Sequence, residues 1–459
     1  MTDERETGRP GPAILYQQGD LAGARDADDA DLIRRRAAHL GGSMLFYRKA
    51  VHLVRGEGVW LFDRHGRRYL DCYNNVASVG HCHPRVVDAL CRQARQLNTH
   101  TRYLHAEIVR YAERVVAMFP DGLDVCYFTC TGSEANELAL RIARALTGRS
   151  GIVVMENAYH GNANLANEVS TCLPAPHGRP AYVAAVEPPN VYRGPFRDRE
   201  RAGGQYAALA GDAVDALESQ GAGLAAFLCD SIFDTQGTLE APLDYFERVY
   251  TRVRASGGMC IADEVQAGLA RTGNQMWGFG HYGVIPDIVT LGKPMGAGHP
   301  VAGVVTTREI AKEFSRRNVY FNTFGGNPVS AAVGNAVLDV MEEERLQENV
   351  CDVSAYLRRG LEELSQRHEL IGDVRGRGLF FGIELVASRG TLEPAPAQAT
   401  DVAERLLGEG ILIGATGRHG NVIKVRPPLV FSRRDADFLL ERLDAVLTTL
   451  ETETGSLDA

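Results

Sequence analysis

Between about residues 84 and 330 the chain alternates short apolar runs with stretches of helical periodicity, and that alternation constrains its fold more than any other feature. The runs span 125–129, 152–155, 225–229, 259–262, 288–291 and 301–305. They lack the polar alternation of a strand with one wet face. Strands of this kind are covered on both sides, which predicts an α/β unit with a mostly parallel sheet between helices.

The flanks read differently. Residues 51–58 and 59–63 alternate at period two; with the turn Arg64-His65-Gly66 and residues 68–71 they predict a small antiparallel meander. From about residue 345 come a helix, a strand pair around 378–384, another helix and a closing amphipathic helix. The expected organisation is an N-terminal arm over 1–40, ending in a short helix, and a large domain over 84–344. A smaller α+β domain combines 41–83 with 345–459. A length of 459 residues, beyond what one core usually supports, agrees with two domains.

Composition narrows the class. With 45% hydrophobic and 23% charged residues the chain is ordinary for a globular enzyme. A net charge of -9 provides no electrostatic footprint for nucleic acid or anionic membranes. The charged start Met1-Thr2-Asp3-Glu4-Arg5 precedes no apolar signal core, and no run approaches a membrane span. The nine cysteines are scattered and form no C-x-x-C pair, so they read as reduced thiols of a cytoplasmic protein. His81-Cys82-His83 reads as a Gly-His-x-His-Pro turn, and no metal is expected.

Four sites along the α/β region carry chemistry. Thr129-Cys130-Thr131-Gly132-Ser133-Glu134-Ala135-Asn136 is a strand end, a small-residue turn and a helix start. Free N–H groups and the hydroxyls of Thr131 and Ser133 suit a phosphate, although Ser133 with Glu134 also fits an ordinary N-cap. Tyr159-His160-Gly161 offers an aromatic to stack on a planar ring, or a core tyrosine. Asp263 ends a strand, followed by Val265, placed to lie on a ring face, and Gln266, a donor for a phenolic oxygen. Lys293 follows a strand directly in a turn rich in Gly and Pro, where open α/β sheets bind ligands.

Pyridoxal phosphate needs a lysine amine to hold it as a Schiff base and a carboxylate to keep its ring nitrogen protonated. Lys293 and Asp263 answer those needs. At about 3 Å and an effective dielectric near 20, a carboxylate attracts a protonated ring nitrogen by roughly 5 kcal/mol before desolvation.

On these motifs the sequence resembles the class III (ω) aminotransferases, fold type I pyridoxal-phosphate enzymes. Gly80-His81-Cys82-His83-Pro84, Gly292-Lys293 and Asn322-Thr323-Phe324-Gly325-Gly326-Asn327-Pro328 add to the likeness, which runs from about Arg34 to the C-terminal helix. The resemblance implies that Lys293 binds the cofactor covalently, Asp263 pairs with the ring nitrogen and Tyr159 stacks on the ring. It implies that Gly132 and Ser133 bind the phosphate in one subunit. Thr323 would reach the phosphate of a neighbouring subunit, which makes a homodimer with shared active sites the expected state.

Within the family the chain resembles the branch of phospholyases for phosphoethanolamine or phosphohydroxylysine, near the alanine–glyoxylate aminotransferases. His52-Leu53-Val54-Arg55-Gly56-Glu57-Gly58 and Lys424-Val425-Arg426-Pro427-Pro428 carry this likeness. Many family transaminases place an arginine where Lys424 stands; a lysine cannot grip a carboxylate as a planar fork, and with Arg426 it suits a compact anion. The chain departs from the branch near Tyr47 and Val51, at Ser78 where histidine is frequent, and at Asp230 where glutamate is more usual. Tyr47, Ser78, Asp230, Lys424 and Arg426 are therefore the candidate substrate residues. The expected reaction is elimination of phosphate from an amino-alcohol phosphate. Transamination of an ω-amine or β-amino acid, β/γ-replacement or C–C bond formation, and non-catalytic cofactor binding stand as alternatives.

Overall fold

A computed structural model of the chain describes residues 26–41 and 44–455. Of the expected arm, residues 1–25 lie outside the described residues. The remainder forms the helix Ala27–His39, whose first N–H groups are capped by the Asp26 carboxylate.

A seven-stranded sheet forms the centre. Its strands are β4 (Val125–Thr129), β5 (Gly151–Met155), β6 (Val183–Val186), β7 (Leu224–Asp230), β8 (Met259–Asp263), β9 (Ile288–Leu291) and β10 (Ala302–Thr306), following β1 (Leu53–Glu57), β2 (Trp60–Asp63) and β3 (Arg68–Asp71) of a separate sheet. The order is β4-β10-β9-β8-β7-β5-β6, and β10 alone runs antiparallel to its neighbours. Strands β5, β9 and β10 are buried from end to end, as their unbroken apolar sequences require. Helices such as Gly132–Thr147 and Tyr245–Ala255 cover the sheet with apolar stripes. This is the α/β unit expected from the sequence, a mostly parallel sheet between helices.

Strands β1 to β3 form the antiparallel meander. A two-residue strand, β14 (Ile411–Leu412), joins it in parallel to β3 from the far end of the chain. The third sheet contains β11 (Ile371–Gly376), β12 (Phe381–Ser388), β15 (Gly414–Thr416) and β16 (Val422–Val425), with β13 (Glu393–Pro394) alongside β12. Strand β16 carries Lys424, and the residue after it is Arg426; both meet Asp234 near the carboxyl edge of the central sheet. Among the described residues no helix is long and apolar enough to cross a membrane.

Candidate active site

Register alone assembles the first part of the site. Asp230 of β7 pairs with Asp263 of β8, and Asp263 with Thr290 of β9, so three polar side chains stand in a row at the carboxyl edge of the parallel strands. Such an edge is where open α/β sheets bind ligands. Lys293 follows β9 by two residues.

Asp263 is held from three sides. Its Oδ1 accepts from the Val265 N–H at 3.1 Å; its Oδ2 accepts from Asn136 Nδ2 and His160 Nδ1, each at 2.8 Å. A carboxylate acceptor puts the imidazole proton on Nδ1. His160 Nε2 is buried and has no partner. Asn136 is fixed in turn: its Oδ1 accepts from Thr290 Oγ1 at 2.7 Å, and its amide also donates to the His160 carbonyl. The sequence motif ended on Asn136 without a role for it. A polar side chain inside an Ala/Leu helix was the available signal.

The opposite end of the cavity is backbone. Thr131 caps the helix Gly132–Thr147 in a reciprocal box with Glu134. A Cβ on Gly132 would lie 2.9 Å from both Cγ atoms of Val265, and one on Gly161, at φ +135, would lie 2.6 Å from Ser133 Oγ. Side chains are thus excluded where the first N–H groups of the helix open onto the cavity, an arrangement suited to a phosphate.

Lys293 lines the same cavity of about 140 Å³, together with Tyr159, Asp230 and Gln266. Burial, and then the neighbouring Arg426, push its amine below the ordinary lysine value, against the pull of Asp234 and Asp263. Next to Asp263 in the chain, Glu264 is buried and accepts from Ser231 Oγ and the N–H groups of Gly278 and Phe279. Burial pushes its carboxyl up to about 7 despite those donors. Glu264 ties the segment after Asp263 to the loop at 278, a role the sequence did not suggest.

The third part was least expected. Lys424 Nζ donates to Asp234 Oδ1 at 2.9 Å, and Arg426 Nη1 lies 3.7 Å from Oδ2, which also accepts from Gln266 Nε2 at 2.7 Å. Gln266 Oε1 accepts from Arg426 Nη1 and from Asn75 Nδ2. The Gln266 amide is therefore engaged by protein partners on both of its atoms. Burial alone would raise the Asp234 carboxyl, but Lys424 and Arg426 outweigh it and hold it below the usual carboxylate range. Asp230 has no such cation: burial, with the charges of Asp234 and Asp263, pushes it well above that range.

Of the residues expected in the site, Gly132, Ser133, Tyr159, His160, Asp230, Asp263, Val265, Gln266 and Lys293 line one cavity. Lys424 and Arg426 lie behind Asp234 and Gln266 without lining it, and four others stand apart. The Tyr47 hydroxyl donates to the Ile413 carbonyl and accepts from its N–H, within a small apolar cluster. Ser78 donates to the Pro294 carbonyl at 2.6 Å and so braces the lysine turn. Thr131 uses its oxygen in the helix cap, and Thr323 is exposed on a loop outside this chain's own cavity. His81 and His83 turn to Asp71 and Glu344 separately.

A buried carboxylate at the strand edge, a glycine cradle at a helix N-terminus, a lysine amine below its usual pKa and an unpartnered imidazole nitrogen fit pyridoxal phosphate. Comparison with known proteins agrees. The class-III aminotransferase family model matches residues 46–447. An alanine–glyoxylate aminotransferase 2-like protein of Drosophila melanogaster is 42% identical over 96% of this chain and 91% of its own length. Ethanolamine-phosphate phospho-lyase homolog 1 of Caenorhabditis elegans is 39% identical over 92% of this chain and 94% of its own. Among solved structures, a phospholyase from Arthrobacter in complex with phosphoethanolamine superposes with a TM-score of 0.89 at 47% identity, covering 91% of this chain and 99% of that one. The chain belongs to the class-III aminotransferases. It is an enzyme, and its cofactor is pyridoxal phosphate.

Proposed function

We propose that the chain eliminates phosphate from a small amino-alcohol phosphate ester. One observation carries this reading: Lys424 and Arg426, both buried, present two cations beside the lysine cavity, where a compact anion next to the reacting amine would lie. The 47% identity to a phospholyase that holds phosphoethanolamine supports it.

When bound, pyridoxal phosphate supplies a carbonyl for the substrate amine and a ring that takes up electron density from the adjacent carbon. The residues do the rest. The N–H groups after Thr131 and the Ser133 hydroxyl bind the cofactor's phosphate, and the Asp263 carboxylate, fixed by Asn136 and His160, keeps a proton on the ring nitrogen. Lys293 holds the cofactor until substrate arrives; its Nζ then accepts the proton from the carbon that bears the amine. Loss of that proton and of phosphate from the neighbouring carbon leaves an enamine, which with water yields an aldehyde and ammonia. Lys424 and Arg426 stabilise the departing negative charge.

Transamination is the second reading, and the Asp234–Lys424 pair favours it, because it already engages one of the two cations. The readings separate on acceptor dependence: phosphate and ammonia released without a keto acid support elimination, and strict need for one supports transamination. The active form is proposed as a homodimer. Tyr103, Leu104, Val319 and Phe324 leave large apolar surface exposed, and Thr323 lies on the same loop as two of them. A second copy covering that surface would bring Thr323 to its partner's phosphate site.

A further inference from the structure

Asp234 is built into place. It starts the turn Asp234–Gly237, flanked by Phe233 at φ 49 and Thr238 at φ 59, two non-glycine residues in the left-handed region. Phe233, fully buried against Tyr245 and Phe246, holds the turn. The carboxylate it positions is 3% exposed and faces both Lys424 and Arg426. Arg426 still has a buried Nε with no partner, and Arg271, whose Nη2 is also unpartnered, lies close enough to Arg426 to repel it. The Arg426 guanidinium thus keeps a spare donor beside a carboxylate that engages only part of it, as expected of a pocket that receives one more anion.

We infer that Asp234 is a specificity-determining residue: its carboxylate is the resident counter-ion of Lys424 and Arg426, an incoming anionic group shares those cations with it, and the carboxylate lowers the affinity for a doubly charged group, a phosphate ester dianion included, more than for a singly charged one. The inference rests on the reading that this face receives the substrate's anionic group. Its physical content is simple. Removing one negative charge raises the potential at the anion's position by a fixed amount, and a dianion responds twice as strongly in free energy as a monoanion. Whatever factor a monoanion gains, a dianion in the same place gains its square.

Sulfate and methanesulfonate test this on the holoenzyme, because they share tetrahedral oxygen geometry and keep charges of about −2 and −1 across the working range of pH. Their dissociation constants are measured by calorimetric titration for the wild type and Asp234→Asn, with cofactor loading checked by visible absorbance. We expect methanesulfonate to tighten by roughly ten-fold and sulfate by roughly a hundred-fold. Asp234→Ser, which removes the charge with a smaller side chain, gives the same ordering should the Asn variant lose its fold. Equal gains for the two anions, or weaker sulfate binding in both variants, would overturn the inference. Neither probe can react, so a chain that releases no phosphate from any ester sinks the proposed reaction and leaves this ratio standing.

Discussion

Asn136→Asp changes one atom's chemistry and keeps the side chain's shape, and the structure fixes what should follow. The Asn136 amide nitrogen lies 2.8 Å from Asp263 Oδ2 and also donates to the His160 carbonyl. An aspartate there sets carboxylate oxygen against carboxylate oxygen. Two full charges at that distance, with an effective dielectric near 20, repel by roughly 6 kcal/mol. The pair avoids part of this by taking up a proton, which at pH 7 costs at most about 4 kcal/mol for a group whose unfolded pKa is about 3.9. The smaller number governs, so the variant should lose about 4 kcal/mol at pH 7. The sign follows from the raised folded pKa: the penalty is absent below the unfolded value and grows by about 1.4 kcal/mol per pH unit until the folded value is passed. Urea unfolding of the holoenzyme at pH 5, 6, 7 and 8, for wild type, Asn136→Asp and Asn136→Ala, measures it. The alanine variant forfeits hydrogen bonds and should show a nearly pH-independent loss. An Asn136→Asp deficit that is the same at pH 5 and pH 8, or no deficit, would refute the reasoning.

Other predictions rest on separate parts of the site. Gly132→Ala drives a methyl into Val265 at 2.9 Å, and overpacking of about 1–3 kcal/mol should weaken cofactor binding by about ten- to a hundred-fold, read by titrating apoenzyme with pyridoxal phosphate. Lys424→Met leaves the Asp234 carboxylate buried and should cost about 3–5 kcal/mol of stability; combined with Asp234→Asn the loss should fall well short of the sum, and additivity would show that the pair is not coupled. Because the Lys293 amine is pushed below the ordinary lysine value, the rate at which apoenzyme captures pyridoxal phosphate should level off at a lower pH than free lysine shows. A profile that still climbs through 10.5 would contradict that environment.

Much of this arrangement was legible in the sequence because it is local. Strand ends are marked by a change from apolar to functional residues, so Asp263 and Lys293 could be placed before any register was known. Edges and long connections were harder. Strand β6 was missed: Val183–Val186 is only partly buried and pairs on one side alone. The reversed direction of β10 leaves no mark in a short apolar run. Strand β14 is two residues long and finds β3 across most of the chain. Asp234 follows the carboxyl end of β7 and occupied the kind of position that singled out Asp263, but its meaning depends on Lys424, 190 residues away. Lys424 read alone is a free cation for a substrate; in the folded protein it already has a partner.

The central claim, that this site releases phosphate, is tested most directly by incubating the holoenzyme with phosphoethanolamine in the complete absence of a keto acid and following inorganic phosphate and ammonia together. The account predicts repeated turnover with one phosphate and one ammonia formed per substrate consumed, abolished in Lys293→Ala. Turnover that starts only when a keto acid is added, with the phosphate ester left intact, would contradict it.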